Sequence, residues 1–129
     1  MFLFESLLVA LSTYSAIPVP QFEWNDRNMK YAICFFFVVG IFCGAALWGW
    51  FALAEVLAVS SFFFATVATC LPLLITGGIH MDGYMDTVDA LASHQPRERK
   101  LEILKDPTCG AFAVIYCGVY LLVYAGLMH

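Results

Sequence analysis

The apolar positions of the chain fall into long runs separated by short polar stretches, and these runs set the expected elements. Residues 31–79 contain a single charged side chain, Glu55. The run is about twice the roughly 20 residues that one membrane-crossing helix needs, so it predicts a helical hairpin. Its spans are expected at 31–50 and 56–76, with the turn near residues 49–56, Glu55 in that turn, and Trp48 and Trp50 at the lipid–water boundary. Residues 109–128 form a further apolar run of spanning length. Residues 1–17 are apolar on most faces but carry Glu5, Ser6, Ser12, Thr13 and Ser15, and Pro18 and Pro20 follow. That pattern predicts an interfacial or re-entrant helix. It lacks the basic start and small-residue cleavage site of a secretory signal, so the helix is expected to be retained.

The polar stretches mark the membrane faces. Residues 21–30, QFEWNDRNMK, read as a linker with Trp24 at headgroup level. Residues 77–108 hold most of the ionisable groups. Gly77-Gly78 at the start is expected to break or bend the preceding helix, since paired glycines cost helix stability and admit close backbone approach. Helical periodicity resumes over 81–91, residues 93–96 read as a loop, and Pro96 can start an amphipathic helix through Lys105. Lys105 suits a helix C-terminus, and Asp106-Pro107 reads as an N-cap followed by proline at the first position of the last span.

Composition agrees with this pattern. Of the residues, 62% are hydrophobic and only 12% charged, against about 25% charged in a soluble domain. The chain is expected to be an all-α, polytopic membrane protein, residues 1–129 forming one membrane domain in the lipid bilayer of the cell. The net charge of −4 and six basic residues leave no footprint for a nucleic-acid polymer. Cys34, Cys43, Cys70, Cys109 and Cys117 lie in or beside apolar runs without a CxxC pair, so they read as small core or lipid-facing residues. If the hairpin goes out and back, Arg27 and Lys30 share a side with Arg97, Arg99, Lys100 and Lys105. The positive-inside rule then makes that side, and the acidic segment with it, cytoplasmic.

Candidate chemistry is concentrated in the acidic segment. Asp82, Asp86 and Asp89 fall at i, i+4 and i+7, on one face of a helix. Carboxylates on such neighbouring positions lie roughly 6 Å apart, where repulsion at an effective dielectric near 20 is on the order of 3 kcal/mol per pair. Raised pKa values, basic neighbours or a divalent cation would relieve it, and an oxygen-only cluster suits Mg2+ or Mn2+. Acids directly after a span usually have a task, although a solvated acidic face is the plainer reading and a proton or cation relay in a transporter is another. Gly83 would let a phosphate approach such a metal, or serve helix packing. His80 could bind phosphate or move a proton, or be a hydrogen-bonded structural group.

The pattern Gly77-Gly78-x-His80-x-Asp82-Gly83-x-x-Asp86-Thr87-x-Asp89, with Lys105-Asp106-x-x-x-Gly110-Ala111-Phe112 after it and Ile17-Pro18-Val19-Pro20 before it, resembles the cobalamin synthase family of adenosylcobinamide-GDP ribazoletransferases. It is also similar to the aspartate motif of CDP-alcohol phosphotransferases. The resemblance implies a multi-pass helical membrane enzyme that joins adenosylcobinamide-GDP to α-ribazole, or its 5′-phosphate, and releases GMP with the help of Mg2+. It implies that Asp82, Asp86 and Asp89 are the metal ligands and that His80 or a free aspartate accepts a proton. Lys105 would contact phosphate and Asp106 would position groups or metal, while Gly77, Gly78 and Gly83 would lie beside the substrate. Ala16, Phe37 and Ala90 depart from residues frequent in that family. Its members are about twice as long, so this chain resembles their N-terminal half. It is expected to be a fragment, a split gene product, or one half of an assembly that a second chain or copy completes. A non-catalytic membrane fragment is the other alternative to an enzyme.

Overall fold

The computed structural model describes residues 2–20 and 26–129, and their regular structure is entirely helical. In chain order the helices are α1 (Phe2–Tyr14), α2 (Asp26–Ala32), a 3-10 turn (Ile33–Phe35), α3 (Phe36–Leu57), α4 (Ser61–Thr76), α5 (Ile79–Ala92), α6 (Arg97–Ile103) and α7 (Ala111–Met128). Trp24, expected at the headgroups, lies outside the described residues. The chain divides into two compact units, Met1–Ile79 and His80–His129.

Two helical stretches are long and apolar enough to cross a bilayer, Met29–Leu57 and Ala111–Met128; α4 and α5 make a third when counted as one broken span. Their large side chains point outward: Val56 is 82% exposed, Leu122 77% and Leu127 81%. At roughly 25 cal/mol for each Å2 of apolar surface, water is a poor solvent for such faces, and the bilayer is the natural one. The chain is therefore a helical membrane protein.

In the first unit the buried positions are mostly small. Ala54 on α3 and Ala65, Ala68 and Thr69 on α4 are buried. Lipid tails are as apolar as leucine, so membrane helices gain by close backbone approach at small residues. The Thr69 hydroxyl meets its need within its own helix, donating to the Ala65 carbonyl at 2.8 Å. Trp50 fastens the α3–α4 hairpin. Its ring stacks on Phe64 at 6.3 Å and meets Phe63 edge-on at 5.8 Å, and its indole N–H donates to the Phe64 carbonyl at 3.1 Å. At the other end, Val9 and Ala10 of α1 pack with Ala32, flanked by Tyr14 and Phe35.

The hairpin turns later than residues 49–56. Helix α3 runs through Glu55 to Leu57, and the chain reverses at 58–60. Ala58 adopts the left-handed conformation at φ 49°, with its amide on the Glu55 carbonyl and the Val59 amide on that of Ala54, both at 3.2 Å. These two bonds make a Schellman stop. Ser60 then caps α4, its hydroxyl accepting from the Phe63 amide at 3.3 Å. The left-handed position holds alanine where glycine is usual, so no residue type announces the turn.

Helix α4 ends at the expected diglycine. Gly77 and Gly78 both have positive φ, 64° and 77°. The Gly78 amide bonds the Leu73 carbonyl at 2.9 Å and the Gly77 amide that of Leu74 at 3.4 Å, a second Schellman stop.

Candidate functional site

The second unit contains the acidic helix, the basic segment and the last apolar helix. Asp82, Asp86 and Asp89 all lie on α5, Asp82 exposed and the other two half-buried. Among the described residues, no group donates a hydrogen bond to Asp82 or Asp86, and no cation pairs with them. The repulsion expected between neighbouring carboxylates is therefore left without a protein counter-charge there. No three His, Cys, Asp or Glu side chains among the described residues are grouped so as to hold a metal ion.

Asp89 is engaged by the start of the last helix. One of its oxygens accepts from the Ala113 amide at 2.9 Å, and the other accepts from the Gly110 amide. Gly110 is the N-cap position of α7 and has no side chain to cap the helix. The first amides of a helix have no intrahelical acceptor, and a carboxylate there both accepts from them and complements the helix dipole. Asp89 thus caps α7 from another helix. A Cβ on Gly110 would lie 2.6 Å from Oδ1 and 2.7 Å from Cγ of Asp89, so any larger residue there would force the carboxylate to shift.

This arrangement corrects the N-cap expected at Asp106-Pro107. Helix α7 starts at Ala111, and Asp106 lies in the preceding loop. Its Oδ1 accepts from the Thr108 hydroxyl at 2.6 Å and the Thr108 amide at 2.9 Å. These two bonds, the hydroxyl's foremost, hold the Asp106 carboxyl below its ordinary pKa. Helix α6 begins after Pro96 but ends at Ile103, short of Lys105. Lys105 is exposed and has no ion-pair partner among the described residues, whereas Arg99 is paired with Glu102 at 2.5 Å.

His80 is exposed near the start of α5. Gly83 is exposed with nothing within 4 Å of where a Cβ would stand, which leaves the backbone there approachable. Gly77 and Gly78 belong to the first unit, where they close α4, and Gly77 packs against Ala16. Toward the end of α5, Val88, Leu91, Ala92, His94, Phe112 and Tyr116 line an apolar recess of about 410 Å3. Sequence reasoning missed the roles of Gly110 and Thr108. The signal for Gly110 was present: an apolar helix beginning behind a glycine, with no Ser, Thr, Asp or Asn at the cap, needs an acceptor from elsewhere.

Residues 6–129 match the family model described as cobalamin-5-phosphate synthase. An adenosylcobinamide-GDP ribazoletransferase of Lachnoclostridium phytofermentans is 50% identical over 124 residues, covering 96% of this chain and 48% of that protein. Proteins of the same name from Clostridium perfringens and Brevibacillus brevis are 38% and 36% identical, over 96% and 95% of this chain and 50% and 49% of theirs. The chain spans about half the length of the curated relatives it matches. No solved structure matches it.

Proposed function

The chain belongs to the cobalamin-5-phosphate synthase family, and we propose on that premise that its acidic helix serves an adenosylcobinamide-GDP ribazoletransferase. The reaction joins adenosylcobinamide-GDP to α-ribazole or its 5′-phosphate and releases GMP. One observation carries the reading to particular residues: Asp82 and Asp86 sit one helical turn apart with no protein partner among the described residues, within the matched region.

That donor set suits Mg2+, which is commonly held by one or two carboxylates and completed by substrate phosphates and water. Asp82 and Asp86 would hold the ion, which when bound neutralises charge on the pyrophosphate of the activated substrate. Gly83 leaves room for a phosphate beside them, and Lys105 supplies a mobile cation to the same group. The hydroxyl oxygen of the ribazole attacks the phosphorus that carries the cobinamide ester, the bond from that phosphorus to the GMP oxygen breaks, and GMP leaves. His80 accepts the hydroxyl proton as general base. Asp106, kept ionised by Thr108, orients the loop that carries Lys105.

The topology we propose is multi-pass with the acidic segment cytoplasmic, supported by Arg97, Arg99, Lys100 and Lys105 lying between α5 and α7. Neither the family match nor the helices favour a transporter.

The test supplies the purified chain in lipid with adenosylcobinamide-GDP, α-ribazole and Mg2+, once alone and once with the C-terminal half of the L. phytofermentans relative. Cobamide and GMP formed in either arm, and lost with EDTA and in Asp82→Asn, support the reading. No product in both arms, alongside an active intact relative, sinks it in favour of a non-catalytic membrane protein.

A further inference from the structure

The structure uses one of the three aspartates differently from the other two. Asp82 and Asp86 have no protein partner among the described residues, while both oxygens of Asp89 are engaged by the Gly110 and Ala113 amides. The contact is built from both sides. Gly110 presents a bare Cα where a Cβ would strike the carboxylate, and the neighbours Ala90 and Ala113 are 3% and 1% exposed.

What the contact encloses gives it a consequence. Asp89 and Gly110 are the two ends of a loop that contains Arg97, Arg99, Lys100, Lys105 and Asp106. Lys105 is five residues from Gly110, so its Cα can stray at most about 17 Å from that point. Asp86 is three residues from Asp89 on the same helix, a rise of about 4.5 Å. With the contact intact, Lys105 cannot stray farther than about 17 Å from the Asp89 end of the acidic helix. With it broken, the Gly110 end of the loop is held by ring and side-chain packing between α5 and α7 alone.

We propose that Asp89 is a positioning residue: by capping α7 across Gly110 it closes the basic loop over the acidic helix and so sets the affinity for a nucleoside diphosphate, while the divalent cation is held by Asp82 and Asp86. The second clause rests on the function proposed above; the first does not.

The test uses the full chain in lipid nanodiscs, with Mn2+ alone, then GDP in saturating Mn2+, then amide hydrogen exchange at Gly110 and Ala113. Asp82→Asn and Asp86→Asn each weaken Mn2+ binding by about tenfold or more, because a direct carboxylate ligand is lost. Asp89→Ala leaves Mn2+ affinity within about twofold but lowers GDP affinity by about tenfold, as the loop loses its closure. Its Gly110 and Ala113 amides exchange about tenfold faster, the loss expected for a missing cap. Gly110→Ala repeats the Asp89→Ala pattern without touching a carboxylate, which separates positioning from ligation. Asp89→Asn, keeping one acceptor oxygen, recovers part of both GDP affinity and amide protection.

Loss of Mn2+ binding in Asp89→Ala that Gly110→Ala does not share overturns the proposal, because Asp89 would then be a ligand. Unchanged GDP affinity in both variants, or absent GDP binding by the Mn2+-loaded wild type, overturns the role of the loop. Absent Mn2+ binding by the wild type defeats the metal reading proposed above; the exchange rates at Gly110 and Ala113 then decide the capping role alone, and rates unchanged by Asp89→Ala overturn it.

Discussion

The backbone amide of Ala16 donates to the carbonyl of Ile75 across 2.8 Å, joining the segment after α1 to the last turn of α4. The last carbonyls of a helix have no intrahelical donor. In α4 those of Leu73 and Leu74 are taken by the diglycine, and that of Ile75 by Ala16. The same approach brings the Ala16 Cβ to 3.4 Å from where a Cβ on Gly77 would stand. Ala16, just before Ile17-Pro18-Val19-Pro20, and the diglycine, far apart in sequence, thus share one junction.

Gly77→Ala and Gly78→Ala should therefore both be harmful, and to a similar degree. Both would force an L residue into the left-handed region, at about 1–2 kcal/mol. The added Cβ itself meets only ordinary contact with Ala16 at Gly77 and nothing within 4 Å at Gly78. Reversible unfolding in mixed micelles should show both variants destabilised by comparable amounts. A variant as stable as the wild type would contradict the left-handed assignment at that glycine.

At the hairpin turn the opposite change should help. Ala58 sits at φ 49°, and Ala58→Gly removes that strain at the smaller cost of a freer unfolded chain. The net expectation is a gain of about 0.5 kcal/mol, read as a higher unfolding midpoint. A fall in the midpoint would contradict the left-handed assignment.

Trp50→Phe should loosen the α3–α4 hairpin by about 0.6–1 kcal/mol, the usual size of one hydrogen bond between membrane helices. The phenyl ring can keep part of the contact with Phe63 and Phe64 but cannot donate to the Phe64 carbonyl. Trp50→Ala loses the rings as well, and about 3 kcal/mol is expected. If the two variants are equally stable, ring packing is not what holds the hairpin.

In metal-free conditions Asp86→Asn should stabilise α5 slightly, by about 0.2–0.5 kcal/mol, since a like-charged pair one turn apart is removed. The same variant should lose divalent-cation binding. Thermal unfolding with EDTA and with Mg2+ separates the effects: Mg2+ should raise the wild-type midpoint and leave the variant unmoved. A variant that Mg2+ still stabilises would remove Asp86 from the proposed metal site.

Thr108→Val should raise the Asp106 pKa toward its ordinary value, because the hydroxyl bond that does most to hold it down is lost while the Thr108 amide bond remains. A carboxyl whose folded pKa is depressed adds stability above its unfolded pKa and loses it as pH falls through the folded value. The wild-type loop should therefore keep its Asp106–Thr108 contact to lower pH than the variant. Carboxyl-detected NMR titration reads both; coincident curves would disprove the assigned cause.

The apolar runs, the break at Gly77-Gly78 and the shared face of Asp82, Asp86 and Asp89 were legible in the sequence because each depends on local periodicity or on a residue type with one strong backbone preference. The same local logic misled at two places. Ala58 adopts a glycine-like conformation without being glycine, so the hairpin turn gave no sign of its place. Asp106-Pro107 has the form of a helix start, yet the Asp106 carboxylate turns to Thr108, two residues on.

The sequence by itself determined that this is an all-helical membrane protein with an acidic helix between apolar ones, since solvent preference and helical period are written residue by residue. Only the tertiary structure decided that Asp89, unlike Asp82 and Asp86 among the described residues, is hydrogen-bonded to another helix. Asp89 meets amides 21 and 24 positions away, and no periodicity within one helix can specify a hydrogen bond to the N-terminus of another. That contact exists because α7 begins behind a glycine with its first amides unmet, and a nearby carboxylate is the strongest acceptor available to them.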